Sequence, residues 1–254
     1  AVVHSAWSEI ASCTIFNPVA DLFIDEYSGW CQFLGDTHRQ WDVVLQQDLT
    51  AVRLARYPVV VLPSVLSLTD RDIQELRGYV SRGGRLVATG QTGTRYGPER
   101  HLWPRDTPAG FPGARVVADK PGVAYWRKER DAAAAARLAE LLLFPSVTPV
   151  LTTDAPATVG VNLSAGSAEE NTLLTLDFNN CDIDVATDAI RPAPACTTAL
   201  RLPPGWPSGA VRITCLRPES PATELPASAC ALDSAARTLR VQSPAFETAL
   251  ILCI

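Results

Sequence analysis

Along residues 1–145 the chain alternates between short, solid apolar runs and longer stretches whose apolar residues recur at helical spacing. Tyr57 to Leu62 is a Val-rich run closed by Pro63 and Ser64, the pattern of a strand buried on both faces. Thr69 then stands in an N-cap position with Asp72 three residues on, a capping-box spacing. Asp70, Asp72 and Glu75 load the first turns with the negative charge that a helix dipole favours. Ile73, Leu76 and Val80, with Tyr79, form one apolar face, and Gly83 and Gly84 supply a left-handed stop. Leu86 to Ala88 opens the next buried run. Arg56 to Gly93 is therefore expected to be a strand–helix–strand unit with a right-handed crossover.

The rest of the chain is read around this unit. Ala1 to His4 is a short strand ending near Ser5, Ala6 and Trp7, followed by a loop from Ser8 to Phe16. Asn17 caps a helix with Pro18 at its first position, and Val19, Leu22, Phe23, Tyr27, Trp30 and Leu34 make its buried stripe. Asp25 and Glu26 read as a solvated face of that helix, because adjacent helical residues point in different directions. Trp41 to Leu45 is a strand and Asp48 to Ala55 a short helix or turn. Beyond Gly93 the Pro-, Gly- and Arg-rich sequence reads as a long loop. Val116–Val117 and Val123 to Trp126 read as short strands, and Asp131 caps a last helix that buries Ala134, Leu138, Leu141 and Leu142. This order predicts an α/β, doubly wound, flavodoxin-like parallel sheet.

From Pro145 the texture changes. Strand-like runs recur without intervening helices: Val159–Leu163, Thr172–Phe178, Thr198–Leu202, Ala210–Leu216, Arg237–Gln242 and Thr248–Cys253. Alternation in Leu239/Val241 and Val211/Ile213/Cys215, with Pro/Gly/Ser turns between runs, predicts an all-β sandwich. Two domains follow, 1–145 and 146–254.

The stretch Y-P-V-V-V-L-P-S … L-T-D-R-D-I-Q-E-L-R-G-Y-V-S-R-G-G-R-L-V-A-T-G resembles the glutamine-amidotransferase-like domain of bacterial glycoside hydrolases, in particular the β-galactosidase trimerisation domain. The resemblance covers about residues 1–130. The run T-L-L-T-L-D-F-N-N is similar to the sheet-core strand of the C-terminal β-domain in such enzymes. The resemblance implies a class I amidotransferase-like sheet, a catalytic barrel elsewhere in the enzyme, and association into a trimer.

Composition narrows the partners. The chain has 254 residues, 47% apolar, with a net charge of -5 and no Lys/Arg-rich run, so neither nucleic acid nor an anionic membrane has electrostatic support. Apolar runs fall far short of a membrane span. With no Met and no leader pattern, a mature or excised fragment is expected. Seven cysteines, Cys13, Cys31, Cys181, Cys196, Cys215, Cys230 and Cys253, favour a secreted or periplasmic protein with two or three disulfides, Cys181 and Cys196 among the candidates. The alternative is buried thiols acting as small apolar residues, Cys215 and Cys253 first.

Candidate chemistry concentrates at the carboxyl ends of the strands, where sheets of this kind bind ligands. Trp7, Ser64, Gln91, Thr92, Arg95 and His101 are the ligand-binding candidates. The turn Thr89-Gly90-Gln91-Thr92-Gly93 is the nearest analogue of the amidotransferase nucleophile elbow, yet it places Gln91 where the nucleophile belongs, and a Gln cannot be activated by a base. Ser64 lacks the glycines of a serine-hydrolase elbow. His4 on an apolar strand reads as a core residue. Asp177, Asn179, Asp182, Asp184 and Asp188 lack the Gly and Glu of a calcium loop and read as a polar loop. Trp7, Trp103, Trp126 and Trp206 are candidates for stacking on sugars or for core and interface positions. No catalytic residue, metal or cofactor is assigned. The leading expectation is a non-catalytic accessory and oligomerisation region with a homo-oligomeric or catalytic-domain partner and a possible carbohydrate contact. A stand-alone carbohydrate-binding module and a hydrolase using the strand-end crevice are the alternatives.

Overall fold

A computed structural model describes residues 1–12, 22–168, 171–203, 206, 211–218 and 220–254. The predicted cap at Asn17, with Pro18 and Val19, lies outside them, as do Cys13 and Ala210. The described residues form two units, one of residues 1–33 and 41–147, the other of residues 34–40 and 148–254.

The first unit is α/β. Its parallel sheet contains β1 (Val2–His4), β2 (Val43–Leu45), β3 (Val59–Pro63), β4 (Arg85–Thr89) and β5 (Arg115–Val116), in the order β2-β1-β3-β4-β5. Val60, Val61 and Leu62 of β3 pair with Leu86, Val87 and Ala88 of β4. All six are at most 2% exposed. A strand apolar at consecutive positions needs cover on both faces, and each fully buried Val or Leu contributes about 1.5–3 kcal/mol. The helices are α1 (Ala6–Ser12), α2 (Leu22–Asp36), α3 (Ala51–Leu54), α4 (Asp70–Ser81), α5 (Pro121–Arg127) and α6 (Ala132–Leu141). In α4 the capping box forms in full: the Thr69 hydroxyl accepts the Asp72 N–H and the Asp72 carboxylate accepts the Thr69 N–H, each at 3.0 Å. Ile73, Leu76 and Tyr79 are buried, and Gly83 takes a φ of 92° to end the helix. Asp131 caps α6, accepting the Ala134 N–H at 2.8 Å.

Three expectations for this unit are corrected. Ser8 to Ser12 are helical rather than looped: Ser5 caps α1, its hydroxyl accepting the Ser8 N–H at 3.0 Å. Val123 to Trp126 belong to α5 rather than a strand, with Pro121 in its first turn, where a missing N–H costs nothing. Glu26 is 0% exposed and so is no part of a solvated face. Asp25, beside it, is ion-paired with Arg127.

The second unit is a β-sandwich. Its strands are β6 (Leu151–Thr153), β7 (Val159–Ala168), β8 (Asn171–Asn180), β9 (Ile183–Asp184), β10 (Ala189–Ile190), β11 (Thr197–Arg201), β12 (Thr214–Arg217), β13 (Ser220–Glu224), β14 (Cys230–Asp233), β15 (Thr238–Gln242) and β16 (Ala249–Cys253). They build antiparallel sheets ordered β14-β15-β11-β6 and β13-β12-β16-β8-β7, with β9 and β10 as a separate ribbon. Leu200, Leu239 and Val241 of one sheet share a core with Leu176, Phe178, Leu250 and Leu252 of the other. Residues 211–213 precede β12 instead of starting it, although Ile213 and Cys215 are buried as their alternation requires.

Candidate functional site

The strand order of the parallel sheet changes direction between β1 and β3, the place where such sheets open a ligand crevice. Here that place is filled. Ser5, at the end of β1, shares a 2.7 Å hydrogen bond with the Ser8 hydroxyl and donates to the Gln46 side-chain oxygen. The Ser8 hydroxyl accepts the Ser67 N–H at 3.1 Å. Gln46 Nε2 donates to the Ser67 carbonyl at 3.0 Å and to Asp72 Oδ2 at 2.7 Å. Ser5, Ser8, Gln46, Ser67 and Asp72 are all buried. Their donors and acceptors are engaged with one another, so the network holds α1, α4 and the strand ends together. Ser5 and Ser8 carried a helix-start signal in Ser-x-x-Ser. Nothing in the sequence linked either to Gln46, which is 41 residues from Ser5.

The turn after β4 has the shape, but not the chemistry, of a nucleophile elbow. Gly90 and Gly93 have φ of 60° and 71°, and a Cβ at Gly90 would stand 2.7 Å from Ser64 Oγ. Gln91 is exposed, and its N–H donates to Ser64 Oγ at 3.3 Å. Ser64 is 1% exposed with a φ of 51°, and hydrogen bonds of the described residues link it to no histidine. Thr92 Oγ1 accepts the Val65 N–H at 3.1 Å and lies 2.8 Å from the Thr89 carbonyl, which it can donate to. Ser64 and Thr92 thus brace the turn from inside.

Below this turn sits Glu26, which sequence reasoning missed. Its carboxylate accepts the Thr89 hydroxyl at 2.7 Å, Trp30 Nε1–H at 3.0 Å and the Val123 N–H at 2.9 Å, and also takes a backbone hydrogen bond from Gly122. Gly122 and Val123 lie in the first turn of α5, where N–H groups lack helical partners, and Lys120 at its N-cap makes no side-chain cap. Glu26 therefore caps a helix distant in sequence. Burial raises its pKa, with the four hydrogen bonds opposing the shift. Lys120 is shifted down by burial, opposed by the charge of Glu26. The fit depends on glycine twice. A Cβ on Gly29 would fall 1.9 Å from the Gly122 carbonyl oxygen, and one on Gly122 would fall 2.4 Å from the Glu26 carbonyl oxygen.

The remaining candidates are dispersed. Arg95 is tied into the fold: its N–H bonds the Leu66 carbonyl at 2.9 Å and its guanidinium the Leu102 carbonyl at 3.2 Å. His101 is exposed and left-handed, with a φ of 51°. Trp7 is 40% exposed at the start of α1 and lines an open groove of about 500 Å³ together with the N-terminal end of α4 and Glu99 and Arg100. His4 packs edge-on against Phe23 and Tyr27, with ring centroids 5.7 and 5.1 Å away, and lies 3.6 Å from Glu9. Trp103 and Trp126 are exposed, whereas Trp206 packs on the sandwich core.

The cysteine expectation is corrected. Cys31, Cys181, Cys196, Cys215, Cys230 and Cys253 are free thiols, so no Cys181–Cys196 bridge closes the loop between them. Cys196 and Cys215 are buried and act as small apolar residues. The argument from disulfides to a secreted or periplasmic location loses its ground accordingly. Burial pushes the Cys31 thiol up to about 11, far from the thiolate a nucleophile needs. Asp182 and Asp184 are paired with Arg191 across the β9–β10 ribbon at 3.0 and 2.9 Å. Among the described residues no group of three or more His, Cys, Asp and Glu is arranged to hold a metal, and no helix is long and apolar enough to cross a membrane.

Residues 1–109 match the family described as the β-galactosidase trimerisation domain. The match covers less than half of the chain and, apart from residues 34–40, lies within the N-terminal unit. Solved structures extend the likeness in fold through the β-sandwich. An α-L-fucosidase isoenzyme 2 from Paenibacillus thiaminolyticus is 14% identical with a TM-score of 0.65, over 90% of this chain and 44% of that one. A β-galactosidase from Bacillus circulans sp. alkalophilus is 14% identical with a TM-score of 0.59, over 99% and 40%. A GH42 β-galactosidase from G. stearothermophilus gives 13% and 0.56, over 99% and 39%. At these identities the shared property is the fold. The chain spans less than half the length of each of these enzymes. No curated protein matches it.

Proposed function

We propose that the chain is the non-catalytic assembly region of a glycoside hydrolase, and that its trimerisation-type domain associates with copies of itself and with a catalytic domain. The observation that carries this reading is the match of residues 1–109 to the β-galactosidase trimerisation domain. The order β2-β1-β3-β4-β5 supports a doubly wound, flavodoxin-like sheet of the class I amidotransferase type. The division between residues 147 and 148 supports domains of 1–145 and 146–254. Gln91 at the elbow and the filled crevice argue against a hydrolase working at the strand ends. Light scattering coupled to size exclusion tests the assembly role. A species of three times the chain mass is expected, and a monomer at every concentration would overturn it.

A further inference from the structure

We propose that the groove beside Trp7 binds a neutral oligosaccharide, a role separate from assembly. Trp7 offers an apolar, half-open ring at the start of α1, whose other side is fixed by the hydroxyls of Ser5 and Ser8. The C–H face of a pyranose stacks on such a ring, as other apolar faces do. The polar lining carries both signs: the carboxylates of Asp70 and Glu99 and the guanidiniums of Arg71 and Arg100, with the exposed amide of Gln47, while the carboxylate of Asp72 is already engaged by Thr69 and Gln46. Two exposed carboxylates disfavour a phosphate or an acidic sugar, and two guanidiniums disfavour a cation. A neutral polyol takes both, donating hydroxyls to carboxylates and accepting from guanidinium N–H groups.

Part of the lining is also preset. Asp70 is held by Arg105 at 3.0 Å and by Arg100 at 3.6 Å. The two guanidiniums lie 4.0 and 4.3 Å from the centroid of the Tyr96 ring. Arg105, whose side chain is 9% exposed, also donates to the Leu68 carbonyl at 2.7 Å. Asp70 and Arg100, held in this way, lose less freedom when a ligand arrives than unpaired side chains would. The volume of about 500 Å³ falls within the usual span of small-ligand sites.

The test is titration of the full chain with β-1,4-galactobiose and with cellobiose, followed by calorimetry and saturation-transfer NMR. Saturable binding of at least one disaccharide, with a Kd of roughly 1 mM or tighter, is expected. Trp7→Ala and Glu99→Ala should each weaken it about tenfold or more, with melting curves confirming that both fold. Glu99 is exposed, so its variant remains informative if Trp7→Ala is unstable. Trp126→Ala, at a tryptophan 46% exposed that does not line the groove, should bind like the parent. Absence of binding by the parent, undiminished binding by Glu99→Ala and a folded Trp7→Ala, or equal loss in Trp126→Ala would each overturn the proposal.

Discussion

Asp72 and Glu26 are two buried acids that serve the same kind of group, the unpaired N–H donors at a helix start, from different distances along the chain. Asp72 closes the capping box of its own helix, three residues from Thr69. Glu26 accepts from Val123, 97 residues away, on a helix that lacks a side-chain cap of its own. The first arrangement is local: forming α4 brings its cap with it. The second exists only when α2, the end of β4 and the start of α5 have come together. It therefore reports tertiary assembly, whereas Asp72 reports a helix. Asp72 is drawn into tertiary structure too, through Gln46, but as an addition to a local motif.

Removing each acid separates the two cases, and the larger effect is expected at Glu26. Glu26→Ala leaves the Thr89 hydroxyl, the Trp30 indole N–H and two backbone N–H groups of α5 buried without an acceptor. Denaturant unfolding should show a loss of about 3–5 kcal/mol. Glu26→Gln keeps the shape and one acceptor oxygen, and should lose less. Asp72→Ala removes one capping partner and the Gln46 link, for an expected loss of about 1–2 kcal/mol in the same measurement. Equal losses at the two sites would erase the distinction.

The smallest and sharpest effect is in pH. The native pKa of Glu26 is raised above its ordinary value of 4.5, so the folded chain binds this proton more tightly than the unfolded chain does. Its contribution is fully present below about 4.5 and is lost as pH rises through the raised native value. The stability of the parent minus that of Glu26→Gln should therefore decline as pH climbs out of the carboxylate range. A difference that grows over that window would mean that the hydrogen bonds outweigh burial.

The same divide between local and distant causes explains how much was legible in advance. β3, α4 and β4 could be read because their signals are contiguous: a Val run, a Thr-x-x-Asp cap, an apolar stripe and a glycine stop. α5 was misread because Val123, Tyr125 and Trp126 carry strand-like propensity, and the helix is fixed by Glu26 and by the close approach of Gly29 and Gly122. β13 was missed because Ser220 to Glu224 are exposed throughout, so no alternation marks them. Of the six candidate ligand residues, Ser64 and Thr92 turned inward, Arg95 was absorbed by loop carbonyls, and Trp7 came to border a groove with Glu99 and Arg100. Strand ends could be located from sequence, but the filling of the space beyond them could not.

By itself the sequence determined the two textures of the chain, an α/β first part and an all-β second, because burial of apolar side chains at a period of two or 3.6 residues is a property of neighbours. It also determined the resemblance to a β-galactosidase trimerisation domain and the lack of a nucleophile at Gln91, since both lie in contiguous residues. Only the tertiary structure decided that Glu26 is a buried cap, that Ser5, Ser8, Gln46, Ser67 and Asp72 seal the crevice, and that the cysteines described remain thiols. Each of these depends on a distance between residues far apart in the chain, and such distances are set by packing rather than by spacing.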